Sequence, residues 1–397
     1  MEASDANVPK TTAEKIYEQI DKDLTEAEEC LPLRWDSDYT GRLTWGAARS
    51  LHARTYMMRN DWDNMYTAST EVIKSGIYNL NTPVDKVFTV EGENCGESIF
   101  ELQCEATDAM KEDASIGSQF CQVQGVRGAG EWAPGYGDWH MATKLMGEAF
   151  EPGDPRRNAT LLYFRRSTDE PITPENTNQP YGESPVSTAM GAYFNKKAYT
   201  DPTLRRKYSR MGFWVNIRLI RYPDVLLMAA EAANEKGLTG EAAGYLEQVR
   251  AHARGTLADV LPKVESASQS VLRDAIRHER RVELALEPDR FYDLVRWGHC
   301  QRSAASCRKE LPGQECAAAS APDRDRQIER STGAEPRLLI PGQRKQPAQS
   351  MAKGLFHNLL AIKALLLQRA ANFLQWHCKG VAVALHNSCS VAAKQLQ

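Results

Sequence analysis

Apolar residues recur at helical spacing near the start of the chain and predict an amphipathic helix over residues 11–32. Its apolar face is formed by Ile16, Ile20, Leu24 and Ala27. Thr11 is expected to cap this helix, and Glu14 completes a capping box three residues later. Pro32 ends the segment.

Two longer stretches each predict a pair of antiparallel helices, residues 43–80 and residues 222–254. In the first pair Asp61 suits the N-cap of the second helix. Gly76 and Gly237 suit the left-handed backbone that follows a helix. Each pair spans about 32 residues, close to the ~34 of a tetratricopeptide unit. The pattern therefore predicts a helical-repeat scaffold.

The segment between these pairs, residues 81–213, has a different character. Residues 97–103 alternate between apolar and polar and predict a short strand. Glycine, proline and asparagine dominate 125–140, 151–164 and 170–185, with tryptophans and tyrosines interleaved. Such a composition makes loops, and long loops on a helical scaffold often carry function.

Residues 276–298, "IRHERRVELALEPDRFYDLVRWG", combine an apolar stripe with many charges. The pattern predicts a helix from residue 270 that is broken at Pro288, followed by a second short helix. Paired carboxylates are also what general acid–base catalysis requires. However, Glu279, Glu283 and Glu287 repeat every four residues, which favours a helix locked by arginine–carboxylate pairs. We therefore assign no catalytic residue and no metal site.

The character of the sequence changes after Gly298. Residues 299–397 contain 14 Lys and Arg against 6 Asp and Glu, a charge of +8 in a chain whose net charge is −3. Five of the nine cysteines lie in this last quarter, and none of the 14 tyrosines does. A shift of this size marks a boundary.

The order of several segments resembles the SusD/RagB family, the surface glycan-binding lipoproteins of the Bacteroidetes outer membrane. The segments are "GRLTWGAARSLHARTYMMRNDWDNMYTASTEVIKSGIYNL", "ESIFELQ", "GDPRRNATLLY", "NIRLIRYPDVLLMAAEAANEKG" and "ERRVELALEPDRFYDLVRWG". The lead-in "VPKTTAEKIYEQIDKDLTEAEECLP" is also similar to the family. The resemblance covers residues 8–298 in one order.

The resemblance implies a mainly α fold, a tetratricopeptide-like scaffold with a long loop-rich, ligand-binding insertion. Residues 8–80 and 214–298 would form the scaffold, and residues 81–213 the ligand-binding part. It further implies a non-catalytic protein without a cofactor. Such a protein binds oligosaccharide at the cell surface and passes it to a SusC-like TonB-dependent transporter of the outer membrane.

Both ends depart from the family pattern. The chain opens in what would be the middle of a family member, so we expect it to carry no signal peptide and no lipidation cysteine itself. After Gly298 the acids and tyrosines thin out and the cysteines accumulate. We therefore expect residues 299–397 to be a non-family tail, either frame-shifted or disordered.

The interleaved aromatic residues are the candidates for the ligand site. Sugar rings present flat C–H faces that stack on aromatic rings, while polar side chains pair with the hydroxyl groups. On that ground the candidates are Trp132, Tyr136 and Trp139, then Asp138 and Asn158, then Tyr181 and Tyr193. Alternatively, Trp132 and Trp139 anchor the loop to the scaffold, because aromatic residues dominate core packing.

Two other functions compete with glycan capture. An intracellular helical-repeat adaptor that binds peptides or proteins would fit the missing signal peptide, but such adaptors bind along the concave helical face. A carbohydrate-active enzyme would need two carboxylates across a cleft, about 5–9.5 Å apart, and no feature of the sequence identifies such a pair.

Overall fold

The computed structural model describes residues 11–104, 124, 142–163, 181, 193–199, 201, 215–265 and 268–299. The predicted site residues Trp132, Tyr136, Asp138 and Trp139 lie outside these residues, as does almost all of the expected tail. The described part falls into two units. One contains the first helix, and the other is Leu31–Cys300.

Nine helices and four strands are described, and the fold is mainly α as expected. The helices are α1 Ala13–Cys30, α2 Trp45–Arg59, α3 Trp62–Lys74, α4 Lys144–Gly147, α5 Pro155–Thr160, α6 Tyr222–Glu235, α7 Thr239–Arg254, α8 Gln269–Glu283 and α9 Arg290–Arg296. The strands are β1 Ser98–Leu102, β2 Leu161–Leu162, β3 Phe194–Asn195 and β4 Ile217–Arg221. Short 3-10 turns at Ser37–Tyr39, Val90–Gly92 and Lys196–Ala198 complete the described elements.

The N-cap of helix α1 lies one residue later than predicted. The backbone nitrogen of Lys15 donates to Oγ1 of Thr12 at 3.4 Å, so Thr12 caps the helix and the prediction of Thr11 was wrong. Both residues are threonines, and sequence alone does not distinguish adjacent caps of the same type. Leu24 and Ala27 are buried, but Ile16 is 49% exposed, so the predicted apolar face is only partly covered.

The two predicted helix pairs are α2–α3 and α6–α7. Asp61 caps α3 as expected, its Oδ1 accepting from the backbone nitrogen of Asn64 at 3.2 Å. Asn60 turns the chain between α2 and α3 with a φ of 56°. Gly76 and Gly237 adopt φ values of 64° and 79°, a left-handed backbone that glycine reaches without steric cost.

Helix α6 is the centre of the scaffold and packs against α3, α7 and α8. It is buried on every side, from Tyr222 to Asn234. Ala229, Ala230 and Ala233 have no exposed surface, and such small side chains allow neighbouring helices to approach closely. A helix buried on every side is typical of the interior of a large core, and the buried Asp224 and Glu231 of α6 need charged partners there.

Strand β1 was expected, but its partner β4 was not. The two strands pair antiparallel, with Ser98 opposite Arg221 and Leu102 opposite Ile217. In β4 burial does not follow polarity, because Arg218 and Arg221 are buried together with Ile220 while Ile217 is only half-buried. A search for alternating apolar residues therefore misses this strand. Strands β2 and β3 form a second, two-residue antiparallel pair.

The charge-rich segment forms α8 and α9 with a break between them. Helix α8 ends at Glu283, five residues before Pro288, so the predicted position of the break was wrong. Leu286 adopts a left-handed φ of 62° in the connection. A tight turn before the proline, rather than the proline itself, ends the helix.

Candidate functional site

A buried network of ion pairs joins β4 to the turn after α8. Nη1 of Arg221 donates to Oε2 of Glu97 at 3.1 Å and to Oε1 of Glu283 at 3.0 Å. Nη2 of Arg221 donates to Oε1 of Glu287 at 2.7 Å. The same carboxylate oxygen accepts from Nζ of Lys197, also at 2.7 Å. Arg221 is only 3% exposed, so these charges depend on one another rather than on water.

A second part of this network holds α5 and α7 against α8. Arg156 of α5 donates to both Glu279 and Glu283 of α8. Nη1 of Arg250 in α7 donates to Oε2 of Glu279 at 2.9 Å. Asp154 caps α5 by accepting from the backbone nitrogen of Arg156 at 2.9 Å, and it pairs with the guanidinium of that residue. The loop-rich part is thereby fixed to the scaffold.

A third part ties α9 to α6. Nη1 of Arg280 donates to Oδ1 of Asp224 at 2.9 Å, and its Nε donates to Oδ2 of Asp293 at 3.0 Å. Arg296 forms a bidentate pair with Glu231, at 2.6 and 2.7 Å. The arginines of the charge-rich segment thus pair mainly outside their own helix.

These contacts support the structural interpretation of "RHERRVELALEPDR". Glu279, Glu283 and Glu287 each contact an arginine or lysine from another segment, and Asp289 lies 3.5 Å from Nη2 of Arg54. A small cavity lies beside the network, lined in part by Glu97 and Glu283. Its volume is about 20 Å³. That is room for about one water molecule and not for a sugar ring.

The pKa values of two carboxyl groups in the network, those of Glu97 and Glu283, are shifted in opposite directions. Burial raises the pKa of Glu97 to about 7, although Arg221 opposes the effect. Burial alone would also raise the pKa of Glu283, but the charges of Arg221 and Arg156 together lower it to about 2. Two buried glutamates on one arginine therefore titrate very differently, because Glu283 has the greater share of positive charge.

A cluster of polar and aromatic side chains lies at the end of α5, and two of the predicted site residues belong to it. This tyrosine–arginine cluster consists of Arg157, Asn158, Tyr163 and Tyr193. The hydroxyl of Tyr163 donates to Oδ1 of Asn158 at 2.8 Å, and the rings of Tyr163 and Tyr193 meet edge to face at 5.9 Å. The guanidinium of Arg157 lies 4.9 Å from the Tyr163 ring centre and 5.7 Å from that of Tyr193.

Backbone pairing brings this cluster together from distant parts of the sequence. Ala142 forms an antiparallel bridge with Tyr193, its nitrogen donating to the Tyr193 carbonyl at 3.1 Å. The Tyr193 ring lies directly against Gly147 of α4, where a side chain would collide with it. Tyr163 follows β2, which pairs with β3 immediately after Tyr193. The cluster therefore sits where three loop ends converge.

Asn158 is exposed and Tyr193 half-buried, so part of the cluster faces solvent. Phenol and amide groups beside a guanidinium can donate to and accept from sugar hydroxyls. Tyr163 and Arg157 were not among the predicted site residues. Tyr163 is 4% exposed, and its role in orienting Asn158 depends on the fold. The helix signal "DPRRN", an N-cap followed by proline, was available and places Arg157 beside Asn158.

The remaining predicted residue that the structure describes, Tyr181, lies in a different setting. It is 47% exposed, and its ring centre is 5.9 Å from that of Tyr199 with an interplanar angle of 33°. Tyr199 is buried, so only the exposed Tyr181 ring offers a flat apolar surface of the kind that a sugar ring can cover.

An open cleft of about 490 Å³ lies elsewhere on the described residues. It lies between residues 80–85 and residues 251–257, and its lining contains no tryptophan, tyrosine or phenylalanine. Arg254 in its wall is already engaged, donating to Oε1 of Glu247 at 3.0 Å. The cleft has the size of a ligand site but lacks the rings for stacking on sugars.

The residues that the structure describes lack two further features. None of their helices combines the length and the apolar character needed to cross a membrane. No group of three or more His, Cys, Asp or Glu side chains among them is arranged to hold a metal ion.

Comparison with known proteins adds a family. The sequence profile of the SusD family, SusD_RagB, matches residues 97–351. A SusD-like protein of Formosa agariphila is 28% identical over 326 residues, which cover 74% of this chain and 59% of that protein. The chain thus spans less than two thirds of the length of this relative. Because the profile continues past Gly298, the non-family assignment of residues 299–397 stays a prediction.

Solved structures give the same fold. A laminarin-binding SusD-like protein is 25% identical with a TM-score of 0.62, covering 77% of this chain and 66% of its own. Surface glycan-binding protein A from Bacteroides fluxus is also 25% identical, with a TM-score of 0.56 and coverages of 74% and 61%. The helical-repeat architecture predicted above is therefore shared with proteins of known structure.

Proposed function

The chain belongs to the SusD family, and from that premise we propose that it captures a glycan or oligosaccharide at the cell surface. The observation that carries this proposal is the tyrosine–arginine cluster at the ends of three loops. It combines aromatic faces, an exposed amide and a guanidinium, which suits weak and reversible sugar binding. Membership of this family favours capture at the cell surface over the alternative of an intracellular adaptor.

The full proposed site joins the described residues to those predicted from sequence alone. Asn158, Tyr193 and Tyr181 would contribute together with Trp132, Tyr136, Asp138 and Trp139. Trp139 stands three positions before Ala142, which bridges Tyr193. Similar proteins that bind laminarin or surface glycans by name support a polysaccharide as the ligand class.

Replacing Tyr193, Trp132 or Trp139 by alanine is expected to weaken glycan binding about tenfold, or roughly 1.4 kcal/mol, because each removes a stacking face. Retardation in native gels containing laminarin and other polysaccharides measures the effect. Trp35→Ala is the matched control, since Trp35 is an exposed aromatic residue (38%) outside the loop-rich part. Unchanged retardation of the three variants by every polysaccharide that retards the parent would contradict the site.

The partner and location are part of the same proposal. Family membership implies an outer-membrane lipoprotein that passes its ligand to a SusC-like TonB-dependent transporter. We expect the tagged full-length protein to copurify with such a transporter from detergent-solubilised outer membranes. A tagged lipoprotein of another family, treated identically, controls for general membrane recovery. Recovery of the transporter in equal amount with both would sink this part of the proposal.

A further inference from the structure

Three arginines at the junction of α8 and α9 have no carboxylate partner among the described residues. This arginine cluster is Arg277, Arg281 and Arg290. Arg277 and Arg281 are one helical turn apart, so their side chains share a face of α8. By contrast, the neighbouring Arg280 and Arg296 are both paired with carboxylates. The positive charge of these three arginines is thus not matched by a paired carboxylate among the described residues.

The Trp297 ring holds two members of the cluster together. The guanidinium of Arg277 lies 4.9 Å from its ring centre, and that of Arg290 lies 5.7 Å from it. Such cation–π contacts position a guanidinium but leave its N–H groups free to donate elsewhere. Both arginines are therefore oriented without being neutralised.

Two N–H groups of the cluster lack acceptors. Nε of Arg277 and Nη1 of Arg290 are buried and have no hydrogen-bond partner in the described structure. Leaving a buried charged donor unsatisfied is costly. Burial and the positive charge of Arg281 lower the pKa of Arg290 to about 10. The nearby carboxylate of Asp293 cannot neutralise the cluster, because it already accepts from Arg280 and Arg296.

The cluster is also close to the proposed glycan site. Nη2 of Arg281 donates to the carbonyl of Leu145 at 2.9 Å. Leu145 and Gly147 belong to the single turn α4, and the Tyr193 ring packs against Gly147. Arg281 and Tyr193 therefore contact the same four-residue helix.

From this geometry we propose that the arginine cluster binds an anionic substituent, a carboxylate or sulfate group, of the captured glycan. The inference rests on the proposed function for its neighbouring site. Guanidinium groups pair with such oxyanions through two parallel hydrogen bonds, which gives both strength and orientation. The ligand class is then an acidic polysaccharide, whose uncharged rings stack on the aromatic residues.

The test uses native gels that contain polygalacturonate, carrageenan or laminarin, which carry carboxylate, sulfate or no charge. The parent protein is expected to be retarded by one of the two acidic polymers. Retardation by polygalacturonate would identify a carboxylate as the bound anion, and retardation by carrageenan a sulfate. Arg281→Gln/Arg290→Gln is expected to lose about tenfold in affinity for that polymer, equal to roughly 1.4 kcal/mol, with laminarin retention unchanged. Added salt is expected to narrow the difference, because charge attraction is screened.

Arg34→Gln is the control, since Arg34 is exposed, donates only to the Ile77 carbonyl and lies in another part of the chain. An equal loss in this control, or no retardation of the parent by either acidic polymer, overturns the proposal. So does a fall of several degrees in the melting temperature of the double variant, because the arginines would then be paired within the protein. If Tyr193→Ala keeps full binding while the arginine variant loses it, the anion site stands and the proposed glycan site fails.

Discussion

Replacing Arg221 by methionine is expected to lower the free energy of unfolding by about 3–5 kcal/mol. The guanidinium pairs with Glu97, Glu283 and Glu287, and all four side chains are buried or nearly so. Its removal leaves Glu97 with only His252 nearby, at 3.4 Å. Burying a carboxylate costs free energy of desolvation, and without the guanidinium no ion pair offsets that cost. Urea denaturation of parent and variant measures the loss.

Arg49→Met is the matched control for this change. Arg49 also pairs with a glutamate, at 2.7 Å, but its partner Glu71 is 48% exposed. A pair at the surface contributes less than about 1 kcal/mol. Equal losses in both variants would mean that the buried network does not hold α8 and β4 together.

The stability of the protein is expected to fall by about 2 kcal/mol as the pH rises from about 5 to 7, through Glu97. Glu97 titrates near pH 7 in the folded protein, but with an ordinary value of 4.5 once unfolded. Between these values the folded state binds more protons, so removing them favours unfolding. Glu283 acts in the opposite sense. Its folded pKa of about 2 contributes stability above pH 4.5 that is lost as the pH falls.

Urea denaturation at several pH values between 4 and 8 tests this expectation. Glu97→Gln removes the titrating group while keeping its size, and we expect a flatter profile between pH 5 and 7. Glu91→Gln, at a glutamate whose side chain is 73% exposed, should keep the parent profile. A parent protein that is equally stable at pH 5 and 7 would contradict the role assigned to Glu97.

Local chemistry explains why the helix pairs could be predicted from the sequence. Asp61 caps its own helix, and Gly76 and Gly237 supply left-handed backbone within a residue or two of the helix that they end. These signals act over three or four residues and need no knowledge of the rest of the fold. Where two adjacent residues could serve, as at Thr11 and Thr12, the same rules left an error of one position.

Strand β4 shows what such rules cannot reach. Its arginines face the interior because their partners come from far along the chain. Arg221 meets a glutamate 124 residues before it and another 62 residues after it. Without those partners an arginine is expected in solvent, so the sequence of β4 predicts its arginines to be exposed although they are buried.

The candidate site likewise has a part that the sequence predicts and a part that depends on the fold. Residue type alone suggested Asn158 and Tyr193, because amide and aromatic groups suit sugars. Their meeting with Tyr163 and Arg157 depends on the bridge between Ala142 and Tyr193, which are 51 positions apart in the sequence. No local pattern encodes that bridge, so the neighbours of the predicted residues could not be identified before the fold was known.

The ion pairs of Arg221 also set an order for folding during synthesis. A ribosome releases Glu97 long before Arg221, and Arg221 well before Glu283 and Glu287. Because a chain emerges from its N-terminal end at a limited rate, Glu97, one residue before β1, lacks its Arg221 partner while more than a hundred further residues are made. The scaffold can close only when α8 has left the ribosome, so nascent chains that stop short of residue 287 are expected to remain open to proteases.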